Sequence, residues 1–194
     1  MAVSYPLSLP AQGCIRQVTI QAANSGAVSR SPFTFASQVF AYSGEMWLAD
    51  LTLKPMRRPQ AAAWVAFLTA CRGRLGTFLL GDPYGAKAQG SATSASVTGS
   101  ARDRSVSVSM SGTLLAGDYI QIGSGADASL HMVLKDRAGS GTLEIWPALR
   151  RDRSGAAVTL NAPKGNFRLA SNVATWSVDQ VAIYGLTIAA EEAL

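Results

Sequence analysis

The residues able to do chemistry in this chain are few and scattered. One run, Ile122-Gly-Ser-Gly-Ala-Asp-Ala128, spells G-x-G-x-x-A after an apolar strand, half of a dinucleotide-binding fingerprint. That motif works only where a helix begins at its second glycine and aims backbone N–H groups at a pyrophosphate. Here Leu130-His-Met-Val-Leu134 follows, a short strand, and no βαβ repeat surrounds it, so the run reads as a hairpin loop. Gly81-Asp82-Pro83 is turn chemistry: the aspartate can bond the backbone onward and the proline presets its dihedral. An acid–base role for Asp82 needs a second carboxylate or a histidine, and the single histidine, His131, lies between Leu130 and Met132 in a predicted strand. Cys14 and Cys71 are far apart, form no CxxC pair and cannot build a zinc site with one histidine; they read as free thiols, Cys71 on an apolar helix face. Asp136, Glu144 and Asp152 each sit beside a turn or a basic residue and read as solvated acids. No G-x-S-x-G elbow, P-loop or HExxH is present. The sequence gives no reason to expect an enzyme, a cofactor or a bound metal.

Composition points the same way. The 194 residues carry 48% hydrophobic and only 15% charged side chains, enough apolar material for a core and little charge for a wholly solvated surface. The net charge of +5 is spread along the chain rather than gathered into a patch. Arg150-Arg151-Asp152-Arg153 contains its own acid, while Arg57-Arg58 and Arg72/Arg74 flank one predicted helix. Solvated or interface arginines are the reading, not a nucleic-acid footprint. No apolar run approaches a membrane span of about 20 residues, and MAVSYPLSLP lacks the basic and apolar regions of a signal peptide. The chain is therefore read as made in the cytoplasm and not inserted in a membrane.

The elements that would position these residues are mostly strands. Cys14-Ile-Arg-Gln-Val-Thr-Ile20, Phe33-Thr-Phe-Ala-Ser-Gln-Val-Phe40 and Met46-Trp-Leu-Ala-Asp-Leu-Thr-Leu53 show period-two patterning, with Tyr42-Ser-Gly-Glu45 supplying a hairpin turn between the last two. Trp47, Ala49, Leu51 and Leu53 share the apolar face. A helix is predicted over about 59–72, with proline in its first turn, glycine at its end, arginine in its last turn and a stripe of Trp64, Phe67, Leu68 and Cys71. Gly76-Thr-Phe-Leu-Leu-Gly-Asp-Pro83 then gives a strand that stops abruptly.

After Tyr84 the style changes. Of the 4 Trp, 5 Tyr and 6 Phe, only Tyr119 and Trp146 fall between residues 85 and 166. That segment offers short Ser/Thr/Val strands with glycine turns, as in a small barrel or sandwich: 95–98, 105–110, 118–122, 130–134, 142–146 and 158–160. From Phe167 the aromatic style returns, and Gln180–Ile188 reads as one central strand because both its faces are apolar. GTFLLGDP and PKGNFRLA share a plan of glycine, one residue, phenylalanine and leucine. They read as the two sides of an insertion, with Gly81, Asp82, Pro83 and Gly165 at the junction. The expected architecture is mainly β: a discontinuous β-sandwich frame, 1–85 plus 162–194, with one α-helix and a nested small β-domain, 86–161. This organisation expects Phe78 and Phe167 in one unit, and Tyr119 and Trp146 in the other.

The ordered set Gly76-Thr-Phe-Leu-Leu-Gly-Asp-Pro83, Gly117-Asp-Tyr-Ile-Gln-Ile-Gly123, Pro147-Ala-Leu-Arg150, Gly165-Asn-Phe-Arg-Leu169 and Tyr184-Gly-Leu-Thr-Ile-Ala-Ala-Glu-Glu-Ala193 resembles the minor tail or distal tail proteins of long-tailed bacteriophages. In those proteins Pro-Arg-Gly often follows the Gly-Asp-Pro turn; here Ala86-Lys-Ala-Gln-Gly90 stands nearby, so no role is carried over for that arginine. The resemblance implies a structural virion protein of the tail tip. It would form a ring, usually sixfold, that joins the tail tube to the baseplate hub or fibre apparatus, with DNA only passing through the lumen. Low surface charge suits such ring contacts. The alternative class is a host-surface, carbohydrate-binding module of a tail or adhesin, with Tyr119 and Trp146 as stacking platforms. An exposed, coplanar pair would favour it.

Overall fold

A computed structural model describes residues 3–10, 14–83 and 87–194. The first half of the chain supplies β1 (Leu7–Ser8), β2 (Ile15–Arg30), β3 (Ser37–Leu53), β4 (Met56–Arg57), helix α1 (Arg58–Ala70) and β5 (Thr77–Leu80). Next come β6 (Ala95–Gly99), β7 (Ser105–Met110), β8 (Thr113–Leu114), β9 (Tyr119–Ile122), β10 (Ser129–Val133), β11 (Arg137–Ala138), β12 (Gly141–Trp146) and β13 (Arg153–Thr159). The chain ends with β14 (Gly165–Leu169), β15 (Ser177–Val178), β16 (Ile183–Gly185) and β17 (Thr187–Glu192). The protein is mainly β, with one α-helix and a closed six-stranded barrel beside the other sheets.

The principal sheet has the order β1-β5-β14-β17-β3-β2, and a small sheet of β15-β16-β4 lies beyond the end of β3. Its core is the row Trp47, Ala49, Leu51 and Leu53 of β3 with Ile188 and Ala190 of β17, covered by Ala61, Trp64, Phe67 and Leu68 of the helix. Phe67 meets Phe78 edge to face at 5.3 Å, and Phe78 is the register partner of Phe167. The helix begins with Pro59 in its first turn, where a missing N–H costs nothing, and the Cys71 cap ends it. Gly73 follows at φ +67, pressed against Asn172, so a side chain there meets both strain and a clash. Arg72 and Arg74 lie past the helix end rather than in its last turn.

The barrel closes in the order β10-β12-β7-β6-β13-β9. Its interior is filled by Val97, Val106, Val108, Ile120, Ile122 and Leu143 with further aliphatic residues, and among the described residues no Trp, Tyr or Phe joins this cluster. Branched aliphatics are the side chains that fit so narrow a lumen, which accounts for the loss of aromatics across this stretch. Strand β13 was legible only at Val158–Thr159; its earlier part is masked by arginine and glycine and carries a register shift between Arg153 and Ala156.

Two strand expectations also fail. Tyr42–Glu45 is not a turn: β3 runs straight through it, and the chain reverses instead at residues 31–36. There the Ser31 hydroxyl accepts from the Phe33 and Thr34 N–H groups, and Ser31 N–H donates to Ala36. The turn-forming character of Ser43-Gly44 is absorbed by a register shift opposite Asn24/Gly26, a bulge that keeps the ladder going. Second, the strand expected over Gln180–Ile188 divides. Residues 180–182 form a turn with Ala182 at φ +58, β16 joins the small sheet, and β17 restarts in the principal one.

Candidate functional site

The G-x-G-x-x-A run is the β9–β10 hairpin loop, with a short 3-10 turn over Gly125–Asp127. Asp127 in that loop pairs with Arg151 at 3.3 Å and with Arg153. His131 is fully buried, its Nδ1 2.7 Å from the Pro147 carbonyl and its Nε2 3.0 Å from the Ser129 hydroxyl. A carbonyl only accepts, so Nδ1 carries the proton. Burial pushes the His131 pKa down to about 4, the nearby Arg150 and Arg153 charges push the same way, and the Pro147 contact opposes them. Burial also pushes the Cys71 thiol up to about 11; both cysteines are free. Asp136 and Asp152 accept backbone N–H bonds from Ala116 and Ala101, and Glu144 lies on barrel strand β12. Among the described residues no cluster of three or more His, Cys, Asp or Glu side chains could hold a metal ion.

The junction residues come together at one place. Gly165 pairs with Leu80, so the returning strand lies directly beside the outgoing one. A bridge between Lys87 and Asn161 keeps the two connections adjacent further out. A side chain at Gly81 would meet the Pro163 carbonyl at 2.0 Å, so this position admits glycine only. Pro83 and Asp82 line a small cleft there with Pro163 and Lys164.

Tyr119 and Trp146 stand on barrel strands, but their side chains pack on the sheet's core rather than within the barrel. Trp47 lies between them, 5.8 Å from the Tyr119 ring and 4.4 Å from Trp146, the latter edge on at 89°. Trp47 Nε1 donates to the Leu130 carbonyl at 2.8 Å, and Trp146 Nε1 to Asn24 Oδ1 at 2.9 Å. The two rings are turned inward on Trp47 and do not form an exposed coplanar platform.

The seam also contains two carboxylates that the sequence reading passed over. Glu45 accepts from Arg104 at 2.8 Å and from the Ala148 N–H at 2.8 Å. Glu192 accepts both nitrogens of Arg150, at 2.9 and 2.6 Å, and the Trp47 N–H at 3.1 Å, while Arg150 also reaches the Glu45 carbonyl. Both carboxylates are buried and both are satisfied, as burial of charge requires. A signal was present: Glu45 continues the buried row 47, 49, 51, 53, and Glu192 the row 188, 190. A charge in phase with a core row needs a partner from elsewhere.

The feature most unlike a folded interior is the far half of the β2–β3 ribbon. From residue 24 to residue 44 every residue but the half-buried Ser31 is exposed. Phe33 at the tip is 91% exposed, and Val28, Phe35, Val39, Phe40 and Tyr42 are exposed with it. Val28 pairs with Val39 and Ala27 with Phe40, so successive pairs place apolar groups on both faces of this arm. A second exposed apolar strip, Trp176, Val178, Val181 and Ile183, borders the small sheet at the opposite end of β3.

No protein-family model matches this chain, and no curated protein gives a significant match.

Proposed function

We propose that this chain is a structural protein of a bacteriophage tail tip, one subunit of a ring that joins the tail tube to the baseplate apparatus. The observation that carries the reading is the arm. A two-stranded ribbon is marginal in water by itself, and this one shows large apolar side chains on both faces with no core of its own beneath them. Exposed apolar surface of that kind signals a partner. Strand β2 adds to the case: it stands at the sheet's edge, 16 residues long, and among the described residues it is paired only with β3. A long open edge invites pairing with another chain, and closure into a ring is one way to satisfy it.

In this reading the sheet and helix form the frame, and the barrel projects from it as an insert that meets neighbouring tail proteins. The chain has no catalytic role. The arginines mostly serve contacts, since those of the 150–153 cluster are already held by Glu192 and Asp127, and a lumen with few free cations lets DNA pass without retention. No helix among the described residues is long and apolar enough to cross a membrane. The test is the content of purified particles: peptides of this chain should be found, and image reconstruction should place a ring of it at the tail tip. Particles that assemble complete tails without the chain overturn the reading.

A further inference from the structure

A cavity of about 710 Å³ opens at the root of the arm, where the ribbon meets the barrel. Met46, Leu149 and Leu194 give it an apolar lining, and Arg102, Arg104 and Arg150 stand there with the Glu45 carboxylate. Arg104 and Arg150 are held by Glu45 and Glu192. Arg102 is different: its guanidinium makes no hydrogen bond or ion pair among the described residues. Its backbone sits at φ +75, a conformation that favours glycine. The turn holds it there through Arg102 N–H to the Leu149 carbonyl at 2.7 Å, Ser100 N–H to Asp103 at 2.7 Å and Ala101 N–H to Asp152 at 2.8 Å. A strained position kept for an arginine, at the mouth of a cavity with surplus positive charge, is built to meet a carboxylate.

The chain carries a complementary segment. Around Asp179 lie Val178, 51% exposed, and Val181, 73% exposed. Asp179 Oδ1 accepts the Val181 and Ile183 N–H groups, which leaves Oδ2 without a partner and the carboxylate without an ion pair. This turn adjoins β16, which pairs with β4 just past the end of β3, whereas the cavity lies at Glu45. Eight residues of strand separate them, roughly 26 Å. One molecule cannot close such a contact on itself; between copies it is made either reciprocally in a two-fold dimer or head to tail, and the head-to-tail form is the one that builds a ring when its rotation closes. No aromatic ring lines the cavity, so a sugar would find no stacking surface there.

We infer that the Arg102 cavity receives the Val178–Val181 turn of a second copy, with the Asp179 carboxylate on the Arg102 guanidinium and the valines on the apolar lining. The inference rests on the ring reading and names one of its contacts. An exposed ion pair alone is weak, so the valines supply the burial and the charges fix the register.

The test is sedimentation velocity of the full chain over a concentration series, with wild type, Arg102→Glu, Asp179→Arg and the double variant. Wild type should self-associate, each single variant should weaken association by about tenfold or more, and the double variant should recover to within about threefold of wild type. Arg102→Gly separates contact from fold: association should fall while the melting temperature holds or rises, because glycine relieves the positive φ. Single variants that associate like wild type, or a double variant no better than its parents, overturn the pairing and leave the ring reading standing. A wild-type chain that stays monomeric at millimolar concentration also overturns the pairing, and the ring reading is then decided by particle content alone. Uronate oligosaccharide that binds through Arg102 while self-association is unchanged would reassign the cavity to sugar.

Discussion

The two halves of the β2–β3 ladder share one hydrogen-bonding pattern and differ in everything else. At the root, Trp47, Ala49, Leu51 and Leu53 are buried, and the two carboxylates in phase with the core rows, Glu45 and Glu192, are both hydrogen-bonded. At the tip, the same alternation of strand faces presents Val28, Val39, Phe40 and Phe35 to solvent. A ladder supplies similar backbone bonds in both halves, so the difference lies in side-chain burial. The root is stabilised from within the chain; the tip, on the ring reading proposed above, is stabilised by another chain. Mutations should therefore affect folding at one end and association at the other.

The largest effect is expected at Trp47, which is 2% exposed and joins helix-side core, Tyr119, Trp146 and the Leu130 carbonyl. Trp47→Ala should destabilise the fold by about 4 kcal/mol, read as a lowered midpoint in chemical denaturation. A loss below about 1 kcal/mol would mean that the barrel does not depend on this seam.

A somewhat smaller effect should follow acidification, through His131 on the barrel side of the seam. Its folded pKa, about 4, is below the unfolded value of 6.5, so the unfolded chain binds the extra proton between these values. Stability from this group is complete above pH 6.5 and is lost as pH falls toward 4, by about 3 kcal/mol in all. Denaturation midpoints across that window should fall with pH, and His131→Gln should flatten the slope. An unchanged slope would show that His131 can charge in place.

The smallest effect on folding should come from the tip. Phe33→Ser, Phe35→Ser and Val39→Ser combined should change stability by no more than about 0.5 kcal/mol, since these side chains lose little surface on folding. The same triple variant should abolish self-association or incorporation into particles. Unfolding of this variant would show that the arm supports its own chain, and the contrast between the two halves would collapse.

Much of the root was legible from sequence because local rules and burial agree there. Pro59, Gly73 and the Trp64/Phe67/Leu68/Cys71 stripe mark one helix without ambiguity. Glycine turns at intervals of about ten residues mark the barrel strands. The arm was misread for a physical reason: apolar alternation reports that a face will be covered, not by which molecule. Tyr42-Ser-Gly-Glu45 compounded this, because Ser-Gly is turn chemistry unless the strand bulges there, as it does here where Tyr42, Ser43 and Gly44 stand opposite Ser25 alone. The pairing of Glu45 with Arg104, and of Glu192 with Arg150, joins residues distant in sequence, which no local pattern announces.

The continuity of β3 has a mechanical consequence. This 17-residue strand runs unbroken from the arm into the floor beneath the helix, bonded to β2 on one side and, along its inner half, to β17 on the other. Tension applied to the arm along its axis acts parallel to the strand, while the interstrand bonds lie across it. The load is thus carried in shear by many bonds at once, not peeled from them one by one. A pull at Phe33 reaches the Trp47 seam and the barrel through a single stiff member, so the arm works as a tether anchored in the protein's core.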